Sequence, residues 1–284
     1  MANLVYPVTR ADLLARLGAH PRPRGTSHTQ QILLEPHLWA QHHFGLTLDP
    51  KQREILESTS NRIIVNCSRQ WGKSTTGSLA ALRYAIHHPD STTIIISPSL
   101  RQSGELLYKV ESFAHQMQMP TKSDGINQLS LQFPNRARIV ALPGNEHTTR
   151  GFSKVGLLIV DEASRVLDSN YPAARPFLAT TNGTLMLLST PNGRRGFFYR
   201  EWTGPVDWTR IEVPATACPR ITEDFLADER QSMPEALFRQ EYLCEFSGTQ
   251  YNWIRPELLQ SVFTKDFKAL KLDPPANNTI REED

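Results

Sequence analysis

The run Cys67-Ser68-Arg69-Gln70-Trp71-Gly72-Lys73-Ser74 constrains this chain more than any other stretch. It starts one residue after the apolar Ile63-Ile64-Val65 and leads straight into a helix-like segment. Strand, tight loop, Gly-Lys-Ser and helix is the order that a phosphate-binding loop requires. In that arrangement the backbone N–H groups at the helix start wrap the phosphates. Lys73 reaches the β and γ oxygens, and the Ser74 hydroxyl helps hold Mg²⁺. The expected nucleotide contacts are this whole loop together with the next residue, Thr75. One position departs from G-x-x-x-x-G-K-[ST]: the first glycine is Cys67.

Length and charge limit what can surround such a loop. The chain has 284 residues, enough for one large or two small domains with a substantial core. Its 31 basic and 29 acidic residues leave a formal charge of +2, so any nucleic-acid contact must come from local clusters. The three cysteines, Cys67, Cys218 and Cys244, stand far apart without a C-x-x-C pair. That argues for a reducing compartment and against structural zinc or a disulfide frame. The pairs His42-His43 and His87-His88 are neighbours on one element and do not converge on a metal. No apolar run approaches the ~18 residues of a membrane span, and the amino terminus lacks a signal-peptide core. A soluble intracellular protein is expected.

From about Ile32, strand and helix signals alternate. Strands are predicted at Ile63–Asn66 and Thr92–Ser97, with helices over Ser74–His87 and about Gln102–Gln116. Alternation through Leu129, Leu131 and Phe133, a Pro134-Asn135 turn, and then Arg138 to Leu142 predicts an antiparallel hairpin. Gly156–Val160 and Thr184–Ser189 are unbroken apolar runs, as in strands buried on both faces of a parallel sheet. The sum is an open α/β sheet with ligands at the carboxyl ends of its strands.

Three further segments carry chemistry. Val160-Asp161-Glu162 closes a buried strand, where Asp161 can reach the Mg²⁺ held by Ser74 and Glu162 can orient and deprotonate a water. The alternative is a pair that only caps a following helix at Ala163-Ser164. Ser189-Thr190-Pro191-Asn192-Gly193 repeats the logic one strand later, with Thr190 and Asn192 placed to sense the γ-phosphate, or simply to form a turn. Gln52, in Leu48-Asp49-Pro50-Lys51-Gln52, has an amide that can pair with both a donor and an acceptor on adenine. The alternative there is a solvent-facing side chain.

These segments, with Phe238-Arg239-Gln240-Glu241-Tyr242-Leu243-Cys244-Glu245-Phe246, resemble in order and spacing the large terminase subunit of tailed bacteriophages. The Arg-Gln-Trp form of the phosphate loop is typical of that family, and the likeness covers about residues 32–246. It implies a P-loop NTPase fold (RecA/ASCE-like), an open, mostly parallel sheet flanked by helices, with a small C-terminal lid at about 205–246. It also implies an ATP-driven motor that uses Mg²⁺ and packages double-stranded DNA. Its expected partners are the portal protein and procapsid and the small terminase subunit, in a ring of commonly five copies in the host cytoplasm. Catalysis would rest on Glu162, Lys73 and Arg69, which contacts the nucleotide. Either Arg150 or Arg101 would reach a neighbour's ATP; both also fit a plain surface role.

Basic clusters at Arg194-Arg195 and at Arg136 and Arg138 are candidate DNA contacts, salt-sensitive and sequence-blind. Phe197 and Phe198 read as core. Residues 1–30 are expected as an extension and 247–284 as a tail without the nuclease domain usual in the family. Two other function classes remain: a regulatory or scaffold NTP-binding module, and a helicase-like remodeller of DNA.

Overall fold

The computed structural model describes residues 35–127, 129–144 and 152–247. Among the described residues seven strands form one sheet: β1 (Arg62–Cys67), β2 (Thr92–Ser97), β3 (Ser130–Gln132), β4 (Arg138–Pro143), β5 (Val155–Asp161), β6 (Thr184–Ser189) and β7 (Thr209–Val213). Their order is β3-β4-β2-β5-β6-β1-β7. All neighbours run parallel except the β3–β4 hairpin, where Leu131 faces Ile139.

The central strands form because they are apolar on both faces. Ile63 and Val65 enter one core cluster while Ile64 enters the other, the two-residue period of a strand with protein on each side. The first face is covered by α1 (Pro36–Phe44), α2 (Pro50–Glu57), α3 (Lys73–His87) and α4 (Leu100–Gln116). Trp39, Ile55, Leu79 and Leu106 of these helices lie in that face's cluster. The second face is covered by the short α5 (Asn170–Ala174) and by α6 (Gly196–Thr203). There the rings of Tyr171 and Phe197 stack at 4.4 Å. Phe197 and Phe198 are buried, as core residues.

Local signals set the helix starts. Asp49 and Gln52 form a reciprocal capping box at α2, with Pro50 at its first position. The Ser99 hydroxyl caps α4 by accepting from Gln102 N–H at 3.3 Å.

One element was not expected. Thr209–Val213, within the range expected for a lid, pairs in register with β1 as the sheet's edge strand. The helices α7 (Glu223–Ser232) and α8 (Glu235–Leu243) follow it. They gather around a small cluster of Ala215, Phe238 and Tyr242. No helix among the described residues is long and apolar enough to cross a membrane.

Candidate functional site

Topology assembles the site. The insertion of β6 between β1 and β5 puts three strand ends side by side, with Asn66 opposite Ser189 and Asp161 opposite Leu188. The predicted phosphate loop, acidic pair and polar turn therefore meet along one carboxyl edge.

The loop from Cys67 to Gly72 is held from beneath. Ser68 N–H donates to Val213 O and Arg69 N–H to Glu241 O, both at 2.9 Å. The Trp71 ring is fully buried in the first core cluster and anchors the loop, so only its backbone can face a nucleotide. Gln70 (φ 61°) and Gly72 (φ 109°) adopt left-handed conformations that turn the chain into α3. Thr76 N–H to Gly72 O, at 3.0 Å, opens the helical ladder. The amides ahead of it, through Lys73, Ser74 and Thr75, have no intrahelical acceptor and suit an anion.

Cys67 explains its own departure from the motif. It is the last residue of β1, its side chain lies in the core, and its Sγ sits 3.6 Å from Ser189 O. Nothing at that position demands glycine. Burial pushes the thiol up to about 12, so it is a protonated packing group at neutral pH. Cys218 and Cys244 are likewise buried and free.

Opposite the loop, Lys73 hydrogen-bonds the Glu162 carboxylate and lies 3.5 Å from Asp161 Oδ1. Burial acts to lower the lysine's pKa, but Asp161 and Glu162 outweigh it and the net shift is upward. Asp161 is pushed up, chiefly by burial, with Lys73 opposing. Its Oδ1 is buried without a hydrogen-bond partner. A buried carboxylate with an unsatisfied oxygen fits a divalent cation shared with the Ser74 hydroxyl at the start of α3. Glu162 does not cap the 3-10 turn Ala163–Arg165 that follows it. It stands in a left-handed conformation (φ 51°), at a cost of about 1–2 kcal/mol for a non-glycine residue.

The turn after β6 is knitted to that acidic pair. Ser164 N–H donates to Ser189 Oγ at 3.0 Å, and Ser164 Oγ donates to Thr190 O at 2.8 Å. Asn192 reaches Ser164 O at 3.4 Å. These bonds tie the turn to Ser164, two residues after Glu162.

Gln52 is not solvent-facing. It is buried, and one lone pair of its Oε1 accepts Asp49 N–H in the capping box, which leaves the second lone pair and the Nε2 donor.

Two residues that motif reading left without a role join the site. Glu241 of α8 is buried between two guanidiniums, Arg69 Nε and Arg165 Nη2, each at 3.6 Å. Arg165 Nε also lies 3.8 Å from Glu162 Oε2. Glu241 lay within a recognised motif, whereas Arg165 carried no signal beyond its nearness to Glu162. Arg101 is exposed in the first turn of α4, and Arg150 lies outside the described residues. Arg136 is paired with Asp90 at 2.7 Å, and Arg138 donates to Thr92 Oγ1 at 3.0 Å. Both sit at the amino end of the sheet, away from the loop. Arg194 and Arg195 are exposed beyond β6, on the loop's side.

A phosphate loop and an acidic strand end separated by one inserted strand define the P-loop NTPase class of fold, in its RecA/ASCE-like form. The family model described as "Terminase large subunit, T4likevirus-type, N-terminal" matches residues 64–261. The chain belongs to that family. It is 26% identical over 234 residues to a terminase large subunit of Thermus virus P23-45, covering 69% of this chain and 48% of that protein. The chain thus spans about half the length of the curated relatives it matches.

Solved structures share the fold. The large terminase ATPase domain of Thermus phage P74-26 superposes with a TM-score of 0.63 at 20% identity, over 79% of this chain and 100% of that one. The large terminase of the HK97 bacteriophage gives 0.62 at 15% identity, over 75% of this chain and 55% of that one. The fold is that of a large terminase ATPase domain.

Proposed function

We propose that this chain hydrolyses ATP as the motor domain of a large terminase, coupling turnover to the movement of double-stranded DNA into a procapsid. One observation carries the reading: the Lys73 ammonium at the start of α3 lies against both carboxylates at the end of β5. That juxtaposition brings together a lysine that can offset phosphate charge and a glutamate that can handle a water.

In this mechanism the open amides of the loop and Lys73 hold the phosphates. Glu162 orients the attacking water in line with the γ-phosphate and takes its proton. To reach the phosphates, the Lys73 ammonium must leave Glu162, which frees that carboxylate to act as base. Ser74 and Asp161 would hold Mg²⁺, which when bound neutralises charge on the phosphate oxygens. Arg69 contacts the nucleotide from within the loop. Thr190 reports loss of the γ-phosphate through the Ser164 bonds.

Either Arg150 or Arg101 acts on a neighbour's ATP, within a ring of five copies on the portal vertex in the host cytoplasm. The small terminase subunit delivers the DNA. Arg194 and Arg195 contact its phosphates, and a lid built from α7 and α8 moves with the nucleotide.

The deciding measurement is ATP turnover of the purified chain alone, with duplex DNA, and with portal-bearing procapsids. Turnover that rises on assembly supports the motor. Nucleotide binding without turnover under any condition would leave a regulatory module, and displacement of a paired strand would indicate a helicase-like remodeller.

A further inference from the structure

Arg220 lies in the segment between β7 and α7, outside every motif and 149 residues from Trp71, yet its guanidinium grips the phosphate loop. Its Nη2 donates to the carbonyl of Trp71 and, at 3.1 Å, to Asp49 Oδ2. The Asp49 side chain is only 4% exposed, and Arg220 is its ion-pair partner among the described residues. Asp49 is itself fixed as the cap of α2 by Gln52. A Cβ placed on Gly72 would meet Gln52 Nε2 at 2.9 Å and Arg220 Nη2 at 3.6 Å. Three side chains from two distant segments therefore brace the outside of one peptide group, Trp71–Gly72.

That peptide is the one most able to turn over. Gly72 has φ 109°, where only glycine is at ease, and no side chain resists rotation of the plane before it. Across a trans peptide the C=O and the following N–H point to opposite sides. A donor that holds Trp71 O on the outside therefore turns Gly72 N–H inward, toward the phosphates. The bond is charge-assisted and so of the stronger kind, and Asp49 keeps the guanidinium from swinging away.

We infer that Arg220 is a positioning residue that locks the Trp71–Gly72 peptide, so that Gly72 N–H is presented to the phosphates of a nucleoside di- or triphosphate. This rests on the reading of the loop as a phosphate site. Such a lock acts on a group that ADP and ATP share, with adenine or guanine alike. Its loss weakens all of these ligands by one factor and leaves the chemical step nearly untouched.

The test is titration of fluorescently labelled ADP, ATP and GDP into the wild-type chain and into Arg220→Ala, Arg220→Lys and Arg220→Gln, with KM and kcat measured in parallel. In Arg220→Ala the expected result is a loss of affinity of about 10-fold, equal for the three nucleotides, from one missing charged-group hydrogen bond. kcat should stay within about threefold. Arg220→Lys should recover most of the affinity, because an ammonium can also donate to Trp71 O. In nitrogen-labelled protein, the Gly72 amide proton should shift downfield with ADP in wild type and not in Arg220→Ala, a signal that a merely structural clasp would not move. Should Arg220→Ala fold poorly, Arg220→Gln supplies the same comparison.

Unchanged affinity in the alanine or glutamine variant overturns the proposal. So does a loss confined to ATP or to adenine nucleotides, which would mean direct contact with the γ-phosphate or the base. If wild type binds none of the nucleotides, the reading of the loop itself fails instead.

Discussion

At their amino ends β1 and β6 turn through Asn61 and Asn182-Gly183, and little is left unsettled there. Asn61 O accepts Leu185 N–H at 2.9 Å, both asparagines are exposed, and Arg62 lies over the Trp208 ring at 6.0 Å. At the carboxyl ends of β1 and β5 the same sheet leaves Asn66 Oδ1, Ser68 Oγ and Asp161 Oδ1 buried without hydrogen-bond partners. It also places Gln70, Gly72 and Glu162 in left-handed conformations. Buried unpaired polar atoms and strained backbone both lower stability. Left-handed residues also precede β2, β4, β5 and β6, at Asp90, Arg136, Lys154 and Asn182, so it is the buried unpaired atoms that mark the carboxyl edge as organised around a ligand.

The largest test of this contrast is Lys73→Ala, in which hydrolysis should fall below detection. The same change should also lower stability by about 3–5 kcal/mol, because it leaves the buried Asp161 carboxylate without its counter-charge. Adding Asp161→Asn should restore much of that stability and none of the activity. Thermal melts and phosphate release decide the matter: turnover near wild type in Lys73→Ala would end the assignment. The pH sign follows from the upward shift of Lys73. Its contribution is full below the ordinary lysine range and fades only as pH rises through the raised value. The Lys73 part of the difference should therefore hold constant from neutral pH up to about 10, while the uncompensated Asp161 adds a loss that eases as pH falls and its carboxyl is protonated.

Glu162→Gln comes next, with turnover lower by ~10²–10⁴ because an amide can hold a water but cannot take its proton. ATP affinity should hold or rise, since the neutral amide no longer competes for the Lys73 ammonium. Loss of affinity with turnover preserved would make Glu162 a structural residue.

What the sequence made legible follows the same division. The parallel strands were readable because Thr92–Ser97 and Thr184–Ser189 are apolar on both faces, and the site's motifs sit directly on their ends. β7 was not, because Thr-Arg-Ile-Glu-Val is an edge strand whose exposed positions carry charge and break the apolar run. α7 has no buried residue and so left no amphipathic signal. Glu241 and Arg220 reach the loop only because β7 lies beside β1 and brings the following segment with it. Local pattern cannot report pairings made across such sequence distances.

Cys67 tests whether a residue can sit within the loop and still belong to the core. Cys67→Gly restores the consensus residue, yet it should lower stability by about 1–2 kcal/mol through the lost buried thiol and the freer chain in a strand. The native thiol should resist a disulfide reagent at pH 8, because burial holds its pKa at about 12. A glycine variant as stable as wild type would show that position 67 is under loop strain after all.

The smallest expected effect lies at the other end of the sheet. Asn182 has φ 48°, a left-handed conformation like that of Glu162, but it is exposed in the turn before β6. Asparagine tolerates this region better than glutamate does, and glycine tolerates it best. Asn182→Gly should thus raise stability by at most a few tenths of a kcal/mol, because relief of strain is offset by a more flexible unfolded chain. Turnover should change by less than twofold, since no bond links this turn to Lys73, Asp161 or Glu162 among the described residues. Turnover that fell tenfold or more in Asn182→Gly, in a protein that melts normally, would show that the amino end also takes part in the cycle. The contrast between the two edges would then mark where ligand binds, and no longer where the work of the site is confined.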